Sequence, residues 1–564
     1  MNDVAVELRA ADVAPGRGLW RWDVGALALY AGLSVLFIDH GASLTGSILG
    51  HRTDPFAFIW FLAWLPFALS HHLNPLWSYL VWQPLGQAAL WTSSVPLLAA
   101  LAAPLTAAAG PVVSYNVLVL LAPALAAWCM YRFCRAFADA RVALIGGFLF
   151  GFSSYEVAQA ATLNLSFTCL LPCLGWIALA RWQGRIGRAA AVALIAVVAV
   201  CQFLICVEIF AMTVVFGAVG WLLFYAASAA WRPGLVRLLV DLAIAAPIVL
   251  VALSPCIASM AGSLRYVNLP PLWPYYFAAT PLGFFIPGQN TLLSLPPMWR
   301  LTREFVGDFQ EQDSYLGLPL LSVIYVYARG EWRAPLVRAL ALLLLVVAVC
   351  SLGPHLWLGE RYTAIRLPWA VLKRLPLLGE ALPVRFAVYV AFLAAVMAVL
   401  WMQAAPAQAR RRLWVGVAAC VAILPVGHPV EPAPVSAFFM PGRLQAVLGV
   451  APRVLILPFG INGPSSFWQM ENGFGFSQTG GYLGFPPAAM QGYPAVMELN
   501  GGNPDDLVPG DFVQFVKAMR TQYVVAGSGT PAGLLAKIAG LGWTENRVDD
   551  VTIFVVPGAA AIGG

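Results

Sequence analysis

The chain is poor in charge, and its basic residues are almost all arginine. Only 10% of its 564 residues are charged, whereas 60% are apolar. A soluble domain is about one quarter charged, so the composition excludes an ordinary cytosolic enzyme. A disordered chain is excluded too, because disorder requires low hydrophobicity. The composition therefore predicts a polytopic membrane protein, and the scarcity of lysine beside abundant alanine favours a bacterial source.

Several signatures of other protein classes are also missing. No basic run is interleaved with aromatic residues, so nucleic acid is not an expected partner. Cysteine is absent after Cys420, which excludes a disulfide framework in the last part of the chain. The cysteines show no zinc-ribbon spacing, and no His-Glu-x-x-His motif occurs. No cofactor is indicated, and a divalent metal is neither specified nor excluded by the sequence.

Apolar stretches of about 15 to 20 residues have the length of membrane-spanning helices. Eleven are predicted to span, at 23–41, 114–131, 142–160, 164–180, 189–207, 209–228, 238–256, 314–328, 335–353, 385–404 and 413–428. A further apolar segment, 91–109, is predicted to lie in the membrane interface instead.

The arginines orient these spans, because short cytoplasmic loops are enriched in basic residues. With the amino terminus inside and 91–109 not spanning, 17 arginines fall into six short inner segments, and the outer loops up to residue 428 hold nine basic residues. The inner arginines are Arg9, Arg17, Arg21, Arg132, Arg135, Arg141, Arg181, Arg185, Arg188, Arg232, Arg237, Arg329, Arg333, Arg338, Arg410, Arg411 and Arg412. We therefore predict a cytoplasmic tail at 1–22 and a transmembrane domain at 23–428 in the bacterial inner membrane.

The long loops fall on the predicted outer side, at 42–113, 257–313 and 354–384. After a proline-rich linker that follows residue 428, the chain has strand-like runs at Val454–Pro458, Tyr523–Ala526 and Val551–Val556, with dense Gly, Asn and Pro between them. This pattern predicts a small α/β periplasmic domain at 429–564. The expected fold class is mainly α, with about eleven transmembrane helices, amphipathic helices on the outer face and this C-terminal domain. Function is expected outside, where the irregular backbone lies.

Asp54 is the sole carboxylate between residues 41 and 113. It precedes Pro55 and an aromatic run, so it could cap an interfacial helix whose aromatic side chains, Phe56, Trp60, Trp64 and Phe67, lie at headgroup level. Alternatively, it is a functional acid, since an ionisable group at membrane level is a functional candidate by default.

Other polar groups are predicted near the same outer face. The acids Asp39 and Glu156 lie at the outer ends of predicted spans, and Glu208 lies between two spans. These acids could provide a general base or contacts to sugar hydroxyls. Cations follow in the later loops, where arginine can bind phosphate through two hydrogen bonds or can snorkel to lipid headgroups. The candidate phosphate ligands are Arg265, Arg385, Lys373 and His355, and the candidate acceptor or sugar contacts are His51, Arg52, Glu208, Glu311 and Tyr315.

The layout resembles the GT-C superfamily of membrane glycosyltransferases. The resemblance covers nearly all of 20–428 and consists of one span, a long outer loop with an acid at Asp54, and many spans with short loops. Short stretches also look like bacterial members: Asn74-Pro75, Gln83-Pro84-Leu85-Gly86, Phe152–Glu156, Tyr315-Leu316-Gly317 and Leu382–Phe386. The resemblance implies a polyprenyl-phosphate-linked sugar donor and a glycan, lipid or protein acceptor at the periplasmic face. It further implies that Asp54, with Glu156 and Asp39 as additional catalytic acids, activates the acceptor and that the anomeric configuration inverts.

Three other functions remain open. A transporter or lipid flippase would need ionisable groups in mid-membrane and broken helices in paired positions. A non-enzymatic envelope-assembly protein would tolerate replacement of Asp54. An acyltransferase would use a membrane histidine, for which His40, His51 and His355 are candidates.

Overall fold

The computed structural model describes residues 19–50, 54–268, 273–307, 311–359, 361–374, 378–379 and 381–558. The described chain is mostly helical. Its helices are α1 (Leu19–Ser34, continued by a π-helical turn Val35–Asp39), α2 (Asp54–Ser70), α3 (Pro96–Ala109), α4 (Pro111–Cys134), α5 (Ala140–Gly151), α6 (Ser154–Ala158), α7 (Leu163–Ser166), α8 (Leu170–Trp182), α9 (Arg188–Ile205), α10 (Val207–Ala227), α11 (Arg232–Ser263), α12 (Trp273–Tyr276), α13 (Pro296–Thr302), α14 (Leu318–Gly330), α15 (Pro335–Ser351), α16 (Trp369–Leu372), α17 (Ala387–Gln403), α18 (Ala409–Ala422), α19 (Arg443–Leu448), α20 (Ser465–Glu471), α21 (Pro494–Asn500), α22 (Pro509–Ala518) and α23 (Ala532–Ala539).

The strands are short and fall into four sheets. They are β1 (Ser47–Leu49), β2 (Trp77–Ser78), β3 (Gln87–Ala88), β4 (His355–Leu358), β5 (Arg361–Arg366), β6 (Val430–Pro432), β7 (Arg453–Leu457), β8 (Ser477–Gln478), β9 (Tyr523–Ala526), β10 (Thr544–Val548) and β11 (Val551–Val555). One sheet has five strands in the order β10-β11-β9-β7-β8, and the others are two-stranded pairs, β1 with β6, β2 with β3 and β4 with β5.

Among the described residues, seven helices are long and apolar enough to cross a membrane. The predicted spans at 142–160, 314–328 and 335–353 correspond to the shorter apolar helices α5, α14 and α15. The helix α5 ends at Gly151 because the chain bends there, and the Ser153 side chain then caps the separate short helix α6. The exact number of spans thus stays a prediction. Within 91–109, a 3-10 turn ends at Trp91, and the 14-residue helix α3 follows.

The chain divides into two compact units. Unit 1 comprises Met1–Ala42, Leu118–Ala252 and Pro270–Pro429, and unit 2 comprises Ser43–Val117, Leu253–Leu269 and Val430–Gly564. The predicted first outer loop and the chain after residue 429 therefore belong to the same unit.

Unit 1 is a bundle built around α17. Its Ala- and Val-rich sequence is buried along nearly its whole length, and it packs against α5, α14 and α15. Small residues bring helices close in the same unit: a Cβ on Gly151 would lie 2.4 Å from the backbone nitrogen of Ala127. Glycines four residues apart, here Gly147 and Gly151, are a common device for close helix packing in membranes.

Unit 2 joins the five-stranded sheet to α2. The strand β7 is parallel to β8 and β9, whereas β9, β11 and β10 are antiparallel. Apolar side chains of β7, including Leu455 and Leu457, share one core with Trp60 and Trp64 of α2. The interpretation of α2 as an interfacial helix with these tryptophans at headgroup level is therefore wrong. Both indoles are at most 2% exposed, because the sheet supplies the apolar partner that the lipid was expected to supply.

Candidate active site

Asp54 is the first residue of α2, and its side chain is exposed. The hydroxyl of Tyr482 donates a hydrogen bond to Asp54 Oδ1 over 2.7 Å. Proline at the second position suits the first turn of a helix, where the missing N–H has no role. The positive end of the helix dipole also favours a carboxylate there. His51 and Arg52, which were predicted to contact the acceptor or sugar, lie outside the described residues.

Residues in the carboxyl-terminal part of unit 2 hold the helix α2, which carries Asp54, in place. Trp60 Nε1 donates to Gln469 Oε1 over 2.9 Å, and Gln469 Nε2 donates to the carbonyls of Leu80 and Phe476. Phe56 lies two residues after Asp54, and the centres of its ring and the Phe467 ring are 5.8 Å apart. The first turn of α2 therefore rests on α20, and Asp54 is presented by a rigid support.

Tyr482 remains a hydrogen-bond donor at neutral pH. Burial, together with the nearby charge of Asp54, raises the pKa of its phenol well above the ordinary value. Its own carbonyl accepts a hydrogen bond from Ser466 Oγ over 2.5 Å. This tyrosine was not found from the sequence, because 428 positions separate it from Asp54.

The last residue of α20, Glu471, has a raised pKa. Burial raises the pKa of Glu471 to about 7, and its Oε2 has no hydrogen-bond partner in the described chain. The folded state thus keeps a proton that the unfolded state releases near pH 4.5. Stability from this group is present at low pH and falls as the pH rises through 4.5 to 7.

We therefore expect Glu471→Gln to stabilise the protein at pH 8 and to leave its stability unchanged at pH 4.5. The amide keeps the shape of the protonated carboxyl but cannot ionise. The measurement is the melting temperature of the detergent-purified protein between pH 4.5 and 8. Parallel pH profiles for the variant and the unmodified protein would contradict the assignment.

In unit 1, Arg385 joins two acids from other parts of the chain. Its Nη1 donates to Glu208 Oε2 over 2.6 Å, and its Nη2 donates to Glu311 Oε1 over 2.8 Å. Glu208 Oε1 also accepts the backbone N–H of Leu382 over 2.9 Å. All three charged side chains are at most 18% exposed. The predicted phosphate ligand Arg385 is thus already bound by two carboxylates.

The amide of Gln159 extends this network. Its Nε2 donates to Glu311 Oε2 over 3.1 Å and to Asp313 Oδ2 over 3.3 Å. Burial, followed by the neighbouring Glu311 charge, raises the pKa of Asp313 well above its ordinary value. Asp313 Oδ1 has no hydrogen-bond partner in the described chain. We call Glu208, Arg385, Glu311, Gln159 and Asp313 the acid cluster.

Two of the predicted catalytic acids do not join the acid cluster through any described hydrogen bond. Glu156 is fully buried in α6, where Thr168 donates its hydroxyl hydrogen to Oε1. Asp39 ends the π-helical turn and is 8% exposed. Tyr315 is buried just before α14. These groups are held inside unit 1, and general base chemistry on a bulky acceptor requires an accessible group.

A small polar cleft adjoins the acid cluster. Glu311 and Gln312 line it together with Thr280, Thr302 and Ser314. The hydroxyl of Thr280 is buried and has no partner in the described chain. Gly283 also borders the cleft, where a Cβ would lie 2.7 Å from Ser314 Oγ. The cleft offers hydroxyl and carboxylate contacts on one side of Glu311.

Lys373 and His355 come together around Tyr275. Lys373 Nζ donates to the Tyr275 hydroxyl and lies 3.8 Å from the centre of its ring. The imidazole of His355 stacks on the same ring, with 5.8 Å between the ring centres. Burial and the charges of Arg366 and Lys373 lower the pKa of His355. The two predicted phosphate ligands thus both contact Tyr275 in unit 1, where Lys373 carries the positive charge and the lowered pKa of His355 favours its neutral form.

The remaining predicted phosphate ligand, Arg265, belongs to unit 2. Its guanidinium lies 4.8 Å from the ring centre of Tyr266 and donates to that residue's hydroxyl over 2.8 Å. Among the described residues, no group of three or more His, Cys, Asp and Glu side chains is arranged to hold a metal ion.

Comparisons with known proteins identify the fold. No family model and no curated protein matches the sequence. The structure of arabinofuranosyltransferase AftD from Mycobacteria is similar over 95% of this chain, with a TM-score of 0.57 and 15% identity. The oligosaccharyltransferase AglB from Archaeoglobus fulgidus, in complex with an inhibitory peptide and a dolichol-phosphate, is similar over 91% of this chain, with a TM-score of 0.52 and 13% identity.

The chain therefore shares its fold with these two structures. The predicted resemblance is therefore confirmed at the level of the fold, and at these identities the similarity shows the fold alone. The chain spans 40% of the length of AftD and 70% of the length of AglB. The seven helices that are long and apolar enough to cross a membrane, together with this shared fold, indicate a membrane protein.

Proposed function

We propose that the protein transfers a sugar from a polyprenyl-phosphate-linked donor to an acceptor hydroxyl at the periplasmic face of the inner membrane. The observation that carries this proposal is the exposed carboxylate of Asp54, held by Tyr482 at the start of a buried helix. The two similar structures described above are named as an arabinofuranosyltransferase and an oligosaccharyltransferase, and the second is in complex with a dolichol-phosphate. The bilayer and a glycan, lipid or protein acceptor are the proposed partners.

The proposed step is a displacement at the anomeric carbon. Asp54 takes the proton of the acceptor hydroxyl, whose oxygen forms the new bond to the anomeric carbon. The bond from that carbon to the donor phosphate oxygen breaks, and the electron pair leaves with the polyprenyl phosphate. Attack from the face opposite the phosphate inverts the configuration. Positioning and charge stabilisation supply much of the rate in reactions of this kind.

We further propose that the predicted phosphate ligands have different roles. Arg385 is bound by Glu208 and Glu311, so its role is to hold the acid cluster together. Lys373 and His355 lack a carboxylate partner among the described ion pairs. Lys373, as a cation, and His355, as a hydrogen-bond donor, are therefore the proposed contacts for the leaving phosphate in unit 1. Glu311 and the adjacent polar cleft are proposed to contact sugar hydroxyls.

The direct test is a transfer assay on the purified protein in lipid nanodiscs. Labelled polyprenyl-phosphate pentoses and hexoses are supplied with an oligosaccharide acceptor, and glycosylated product and free polyprenyl phosphate are measured. We expect product to form together with free polyprenyl phosphate, and no product from a sugar nucleotide. Movement of intact donor across vesicle membranes, without product, would instead identify a flippase.

A further inference from the structure

A buried aspartate in α11 joins the end of α8 to the start of α9 in unit 1. Asp241 of α11 is fully buried. Its Oδ2 accepts from Arg181 Nε of α8 over 2.6 Å, and its Oδ1 accepts from Arg188 Nε of α9 over 3.1 Å. Both carboxylate oxygens are therefore occupied by guanidinium groups.

These helix ends carry more positive charge than Asp241 can neutralise. The segments 178–188 and 229–241 contain five arginines, Arg181, Arg185, Arg188, Arg232 and Arg237, and no acid besides Asp241. Arg237 is exposed, and its Nε donates to the carbonyl of Pro233 over 3.3 Å. Its charge has no acidic partner among the described ion pairs. An anion would gain two guanidinium neighbours here, Arg181 and Arg237.

A small surface pocket lies between these two arginines. It is lined by Ala178, Arg181, Trp182, Gly234, Arg237 and Leu238. Gly234 allows α11 to approach Trp182, since a Cβ there would lie 2.7 Å from the indole ring. Trp182 itself is 39% exposed. An indole beside cationic groups is typical of the boundary between lipid tails and headgroups.

The helix surface next to the pocket is apolar and exposed. Val236, Leu239 and Leu242 of α11 are each more than 40% exposed. Such side chains suit contact with acyl chains. The surface therefore combines an anion site with an adjoining hydrophobic face, which is the chemistry of an anionic phospholipid.

The length of α9 places this pocket at the other membrane face from the acid cluster. Arg188 is the first of the 18 residues of α9, and Glu208 follows its end by three positions. At 1.5 Å per residue, the helix is about 27 Å long, close to the roughly 30 Å of a bilayer's hydrocarbon core.

We propose that this pocket binds the headgroup phosphate of an anionic phospholipid. The phosphate lies between Arg181 and Arg237, and the acyl chains follow the exposed face of α11. Arginine forms strong paired hydrogen bonds with phosphate. The alternative is that these arginines only orient the spans by their charge, which would require no particular headgroup and no pocket. The proposal is independent of the proposed glycosyl transfer.

The test is lipid retention by the full-length protein in native mass spectrometry, with phosphatidylglycerol and phosphatidylcholine offered in equal amounts. We expect at least fivefold preference for phosphatidylglycerol. Arg237→Gln should remove most of that preference. Arg410→Gln, which removes an arginine that is also exposed and lies at another helix end, should retain it.

A second variant tests the shape of the pocket without changing its charge. Gly234→Ala places a methyl group against the Trp182 ring and closes the pocket while all arginines stay. It should also lower the preference for phosphatidylglycerol, whereas its melting temperature reports any loss of folding. Equal retention of the two lipids by the unmodified protein would overturn the proposal. An equal loss of this preference in Arg410→Gln would also overturn the proposal, because the preference would then reflect general attraction between anionic lipid and exposed arginines.

Discussion

Replacement of Asp54 by asparagine is expected to reduce sugar transfer by at least about 100-fold, because a positioned general base contributes roughly 10²–10⁴ in rate. The amide has nearly the same shape and can still accept the hydrogen bond from Tyr482. It cannot take a proton from the acceptor hydroxyl. The measurement is the initial rate of product formation in nanodiscs, with donor binding measured separately.

Two further variants help to interpret the loss of activity in Asp54→Asn. Asp506→Asn changes an exposed acid of the same unit and should leave the rate unchanged. Tyr482→Phe keeps the carboxylate but removes its hydrogen bond, so we expect a loss of at least about 10-fold, mostly in kcat, since a hydrogen bond to a charged group contributes about 1.5–3 kcal/mol. Full activity of Asp54→Asn would reject Asp54 as the base and leave the acid cluster of unit 1 as the next candidate.

The sequence predicted much of the helical architecture because apolar composition and helix length are local properties. The predicted span at 189–207 differs from α9 by only a residue or two at each end. The strand-like run at 523–526 is β9. Shorter elements were harder to bound, since the break between α5 and α6 depends on Ser153 and on close packing at Gly151.

The partners of the candidate residues could not be predicted, because they come from distant parts of the chain. Tyr482 follows a glycine pair in a loop, and nothing local relates it to Asp54. Arg385 was singled out by its charge alone, and the sequence did not indicate that Glu208 and Glu311 both bind it. The burial of Trp60 likewise depends on a sheet that lies some 400 residues later in the chain.

The acid cluster contains more acids than cations. Glu208, Glu311 and Asp313 are accompanied by Arg385, with Gln159 donating to the last two acids. The raised pKa of Asp313 relieves part of this imbalance because the protonated carboxyl is neutral. Arg385 is thus the group on which the remaining two carboxylates depend.

Replacement of Arg385 by alanine is therefore expected to destabilise the folded protein by about 3–5 kcal/mol, the usual cost of leaving a buried charge without its partner. A domain is stable by only about 5–15 kcal/mol, so a large drop in melting temperature or poor expression should follow. The measurement is the melting temperature of the detergent-purified protein, with yield recorded for each variant.

A compensated variant distinguishes charge from packing. Arg385→Met combined with Glu208→Gln and Glu311→Gln removes all three charges and keeps similar side-chain volumes, so it should regain most of the lost melting temperature. Arg443→Ala, which breaks the exposed pair with Asp549, should change it little. If the compensated variant melted as low as Arg385→Ala, the packing of the arginine stem, rather than its bonds to two carboxylates, would be what holds this part of unit 1 together.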